Sequence, residues 1–114
     1  MSALNDKDLD RFAGILDHCD RVEEALLRLH HSKTEYDEDN LFQDAIKMNL
    51  LQIGELANMI SDETKRKLPE IPWPQIIATR NIIAHAYQKV SDDLIWKTCL
   101  EDIPELKKLL ETWV

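Results

Sequence analysis

Apolar residues recur every three or four positions through almost all of this chain. With only two glycines in 114 residues, that periodicity leaves an all-α protein as the fold to expect. Between Asn5 and His31 the stripe reads Leu9, Phe12, Ala13, Leu16, Cys19, Leu26 and Leu27, with Asn5 or Asp6 placed to cap it. The run "HSKTEYDEDN" loses the pattern and reads as a loop whose acidic end favours the start of the next helix. A second helix, from about Asp39 to Ile60, carries one stripe of Phe42, Ala45, Ile46, Ile53, Leu56, Ala57 and Ile60. Its other set, Leu41, Met48, Leu51 and Met59, lies on a different face. One face can be covered inside the monomer. The other implies a helix from a second copy, hence a homodimer.

Beyond Ile60, Ser61 or Asp62 can cap a short helix that Pro69 ends. The stiff connector "PEIPWPQ" then delivers Pro74 to the first turn of a helix reaching about Lys89. Ser91 or Asp92 starts the last segment, whose apolar positions Trp96, Cys99, Ile103, Leu106, Leu110 and Trp113 keep register through Pro104. That register favours a kink there, although a break at Asp102 also fits. The sum is an up-and-down helical bundle of four to five main helices in one domain spanning residues 1–114.

Composition narrows the function. Fourteen basic against 22 acidic residues give a net charge of −8, which argues against non-specific binding to duplex DNA. No run approaches the roughly 20 apolar residues of a membrane span, and the start "MSALNDKDLDRF" lacks the features of a signal peptide, so a cytoplasmic protein is expected. Cys19 and Cys99 lie far apart without a CxxC and read as buried thiols. No metal site is expected: His18 lacks a ligand partner one turn on, and His30-His31 suits a helix end. Trp73, Trp96 and Trp113 each fit an apolar stripe and read as core or interface anchors.

The chemistry concentrates in "RNIIAHAY". On a helix, Trp73, Ile76, Ile77, Ile83, Ala84 and Tyr87 share one stripe with Arg80 at its centre, and a guanidinium so placed needs an acceptor. His85 lies about 140° around the helix from Arg80, whereas Asn81 shares its face. The two functional groups therefore meet only if the Arg reaches around, the helix is irregular, or they approach across a dimer interface. Glu55, between Leu51 and Met59 on the second face of the second helix, is a candidate partner for Arg80.

The order of "LLQIGELA", "PEIPW", "RNIIAHAY" and "LIWKTCLEDIPELKKLL" resembles the HEPN superfamily, and within it the HepT-like branch that pairs with minimal nucleotidyltransferases. The resemblance implies a dimeric helical bundle and a metal-independent ribonuclease toxin without a cofactor, with Arg80 and His85 as catalytic pair, Asn81 in support and RNA as substrate. It also implies that a nucleotidyltransferase antitoxin places AMP on Tyr87. Such a phosphate is expected to lie on the Arg80 side of the helix. An alternative is a non-catalytic helical partner or nucleotide-binding module of the transferase. The pair Ala78-Thr79 stands where many members of that branch carry Gly-Met.

Overall fold

A computed structural model describes residues 4–114. It contains α1 (Asp6–Arg28), α2 (Lys33–Asp37), α3 (Asn40–Met59), α4 (Asp62–Lys67), α5 (Trp73–Ala86), α6 (Asp92–Lys97), a π turn (Thr98–Asp102) and α7 (Ile103–Glu111). No strand occurs among the described residues.

Side-chain caps set most helix starts. Asn5, Ser32, Asp39, Ser61 and Ser91 each accept a hydrogen bond from the backbone N–H three residues on. The helix α5 begins instead with Pro74 in its first turn. At the end of α1, the His31 N–H bonds the Leu26 carbonyl and the His30 N–H that of Leu27. Both histidines take positive φ, 55° and 51°, so the pair does close a helix end, through its backbone.

The long helices run antiparallel. Arg11 donates to the Met59 carbonyl at 2.7 Å and His18 Nδ1 lies 2.8 Å from Asn49 Oδ1, which aligns α1 against α3 in opposite senses. The chain then packs α5 on the other side of α3 and brings α7 back to α1, where Lys107 bridges Asp20 and Glu23 at 2.9 and 2.8 Å. Phe12, Ile15, Cys19, Ile46, Ile53, Ile83, Ile95, Cys99 and Leu110 meet in the core between these layers. Trp73 stacks on Phe12 and donates its Nε1–H to the Leu68 carbonyl at 3.1 Å, fixing the connector before α5. Trp96 is also buried, whereas Trp113 is 37% exposed.

Several expectations need correction. The "HSKTEYDEDN" stretch is not all loop: it contains α2, which exists because Tyr36 buries fully against Trp96 and bonds Asp92 through its hydroxyl at 3.3 Å. Ala13, Leu27, Ala45 and Ala84, assigned to buried stripes, are exposed, since the core-facing line of each helix runs through its neighbours Ile15, Val22, Ile46 and Ile83. The helix α5 stops at Ala86 rather than Lys89. Around Pro104 the helix continues through the π turn, where the Ile103 N–H reaches back to the Thr98 carbonyl. The wider turn carries the missing proline donor without ending the helix.

Candidate functional site

The Arg80 position is built by a glycine. A Cβ at Gly54 would overlap the Arg80 Cβ and stand only 2.7 Å from its Cγ and 3.3 Å from its Cα, so α3 and α5 approach as closely as they do only because residue 54 has no side chain. The next residue along α3, Glu55, forms an ion pair with Arg80 within the same chain, and Arg80 Nη1 donates to Asn81 Oδ1 at 3.0 Å. Arg80 Nε is buried with no acceptor. The side chains of Arg80 and Glu55 keep 33% and 41% of their exposure, so the pair sits at a surface that a substrate can reach.

His85 lies in the last full turn of α5 and is exposed. Among the described residues no hydrogen bond or ion pair holds its ring, which leaves both ring nitrogens open for proton transfer. Asn81, one turn earlier, is exposed and spends its side-chain oxygen on Arg80. Arg80, Asn81 and Glu55 thus form one cluster where α5 meets α3, and no contact joins His85 to it among the described residues. The guanidinium is directly joined to Glu55 and Asn81, and the imidazole stands apart.

Tyr87 follows Arg80 by two turns and faces α3 as well, but at another point. Its hydroxyl donates to Asp44 Oδ1 at 3.2 Å, and Lys47 Nζ donates to its carbonyl at 3.1 Å while lying 5.0 Å from its ring centroid. Burial, then the Asp44 charge and its hydrogen bond, push the phenol above its usual range, so it is protonated at neutral pH. Asp44 and Glu55 are eleven residues apart on α3, about 16 Å along the axis. The Tyr87 hydroxyl and the Arg80 guanidinium therefore meet different acids of the facing helix. Asn40, Gln43, Asp44, Lys47, Gln88 and Asp92 line a polar cavity of about 330 Å³ at this end.

Asp44 and Lys47 did not stand out in the sequence. The signal was present for Lys47: it falls on the line of Gly54, seven residues away, at the border of an apolar stripe, the same kind of anomaly that marks Arg80. Among the described residues no group of three His, Cys, Asp or Glu is arranged to hold a metal ion, and no helix is long and apolar enough to cross a membrane.

The family model of HepT-like ribonucleases matches residues 15–113, a span that includes both α3 and α5. The chain belongs to the HepT-like ribonuclease family. A Methanocaldococcus jannaschii protein named as an RNase is 32% identical over 77 residues, covering 68% of this chain and 71% of the relative. A Thermococcus cleftensis protein named as a ribonuclease HepT is 41% identical over 73 residues, 64% of this chain and 66% of that one. A Caldanaerobacter subterraneus protein named as an RNase is 31% identical over 94 residues, 82% of each. No solved structure gives a significant match.

Proposed function

We propose that this HepT-like chain is a metal-independent endoribonuclease, the toxin of a toxin–antitoxin pair, and that it acts as a homodimer. The observation that carries the reading is a guanidinium fixed at a surface by Glu55 and Gly54, with an unengaged imidazole five residues on along the same helix. Arg80 holds the scissile phosphate and stabilises the charge gathering on it. His85 takes the proton of the ribose 2′-OH as that oxygen attacks phosphorus. The P–O5′ bond breaks, leaving a 2′,3′-cyclic phosphate, and the leaving oxygen gains a proton.

The dimer is supported by a stripe on α3, Leu41, Met48 and Met59, which are 82%, 48% and 54% exposed and fall within about 20° of one line on the helix. Glu55 borders that stripe, so a second copy placed there would bring two Arg80–Glu55 pairs to one cleft. The antitoxin in this reading is a minimal nucleotidyltransferase: the Tyr87 oxygen attacks the α-phosphorus of ATP, pyrophosphate leaves, and the phenol proton is released. The polar cavity beside Tyr87 supports it by giving an adduct room.

Incubating RNA with the protein in EDTA tests the chemistry. The expected products carry 2′,3′-cyclic phosphate ends, and His85→Ala and Arg80→Ala each lose about 10²–10⁴-fold. Undiminished cutting by both variants would assign the activity to a contaminant. A second reading, a non-catalytic partner of the transferase, is favoured by one observation: Glu55 already neutralises Arg80 in a chain of charge −8. It predicts no cleavage by the wild type, and Tyr87 modified nonetheless when transferase, ATP and magnesium are supplied.

A further inference from the structure

Lys47 is the least expected charged residue in the fold. Only 7% of it is exposed, and among the described residues no carboxylate lies within ion-pair distance of its ammonium. Its ammonium donates to the carbonyl of Tyr87 at 3.1 Å and lies 5.0 Å from the centroid of the Tyr87 ring. Lys47 also lines the polar cavity that holds Asp44 and Asp92, yet its ammonium is directed to the Tyr87 carbonyl rather than to either carboxylate, and a methionine of similar length would keep the packing without that bond. One turn earlier on α3, Asp44 receives the Tyr87 hydroxyl. Both contacts close on a single residue, the one that caps α5.

His85 lies two residues before that cap. With no partner for its ring, the place of the imidazole is set by the backbone of its own turn. That turn is anchored on one side by Ile83, fully buried in the core, and on the other by Tyr87. We infer that Lys47 and Asp44 are positioning residues for His85: they clamp Tyr87 and so hold the last turn of α5 in the geometry from which the imidazole acts. The inference rests on the proposed catalytic role of His85. The ammonium also sits where the carbonyl end of α5 is negative, which favours the clamp's closed form. The clamp also bears on the proposed adduct. A phosphodiester on the Tyr87 oxygen removes the donor from Asp44 and sets an anion against that carboxylate, so modification would open the same clamp.

The experiment compares Lys47→Met, Lys47→Arg and Asp44→Ala with wild type. It measures kcat and KM on a short RNA and the amide hydrogen exchange of α5 by NMR. A misplaced catalytic group costs turnover before binding. Lys47→Met is therefore expected to lower kcat by about tenfold or more with KM within about twofold, and to speed exchange of the amides at 84–87 while Ile76–Ile83 stay protected. Lys47→Arg, which keeps a donor to the carbonyl, is expected to recover kcat to within about threefold of wild type. Asp44 is exposed, so its alanine variant stays folded even if Lys47→Met does not. It is expected to lose about threefold in kcat with the same local change in exchange.

Wild-type kcat and wild-type exchange in folded Lys47→Met and in Asp44→Ala would overturn the inference. So would a kcat loss accompanied by lost protection along the whole of α5 and no recovery with arginine, which is the signature of a general packing defect. A wild type that cleaves no RNA would instead defeat the functional reading. In that case the exchange of residues 84–87 alone decides whether the clamp exists.

Discussion

Replacing Gly54 with alanine would put the α3/α5 contact under strain. Ordinary contact begins at 3.4 Å, and the new Cβ would stand 2.7 Å from Arg80 Cγ, about 0.7 Å short, with a deeper overlap at Arg80 Cβ. A rotamer change moves Cγ, but Cβ moves only with the backbone, so α5 must shift by roughly 1 Å at Arg80. Alanine in a helix interior gains about 1 kcal/mol over glycine, and overpacking costs about 1–3 kcal/mol, so the net loss of stability is at most about 2 kcal/mol. The melting temperature should fall by no more than about 10 °C. Activity should suffer far more, since a 1 Å misplacement of a catalytic group costs about 10²-fold. Gly14→Ala is the control: its Cβ would meet only the end of the Leu56 side chain, at 3.0 Å, which can swing aside. Circular-dichroism melts and RNA cleavage on both variants read the two effects separately. A Gly54→Ala protein with wild-type kcat/KM would refute the claim that the glycine fixes Arg80 for catalysis.

Asp8 is fully buried and accepts bonds from the Ser61 backbone and hydroxyl and from Thr64 and Arg11. Burial alone would raise its pKa, and these bonds together hold it below the ordinary carboxylate value. Because the folded pKa is depressed, its contribution is complete above the unfolded value near 4 and is lost as pH falls through the folded value. Asp8→Ala should cost about 3 kcal/mol in urea unfolding at pH 7, with the difference shrinking in acid. Burial pushes Cys19 and Cys99 up to about 12, so a thiol reagent at pH 8 should label neither in the native protein and both after denaturation. Met48→Lys, on the exposed stripe of α3, should convert the proposed dimer to a monomer in light scattering without lowering helicity, and a wild type already monomeric at micromolar concentration would refute that interface.

How much was legible in the sequence depended on range. Helix placement and caps follow from residues within four positions of one another, which is why Asn5, Asp39, Ser61 and Ser91 were each foreseen as caps or flanking positions and act as such. The anomaly of an arginine on an apolar stripe was equally local, and the acceptor it demanded is Glu55, one of the groups the second face of α3 offered. Tyr36 was missed because a lone aromatic in a polar run carries no period. Its burial depends on Trp96, sixty residues on. Asp8 was missed for the same reason, since Ser61 and Thr64 lie 53 and 56 residues away.

The separation of Arg80 from Tyr87 shows where helix geometry alone stops being informative. Two residues on one side of a helix share a direction, but the groups they meet belong to the facing helix, and α3 presents Glu55 to one and Asp44 with Lys47 to the other. Antiparallel packing spreads those partners along the facing helix, Glu55 and Asp44 by about 16 Å where Arg80 and Tyr87 are about 10 Å apart. The α3/α5 seam therefore carries two distinct electrostatic points, a cation restrained by an acid at Arg80 and a phenol restrained between an acid and a buried cation at the helix end. His85 lies between them in the sequence, and among the described residues its ring has no partner. On the proposed clamp, a change that frees Tyr87 from Asp44 and Lys47 reaches the imidazole through the backbone of α5, two residues away, while the Arg80–Glu55 pair keeps its own contacts.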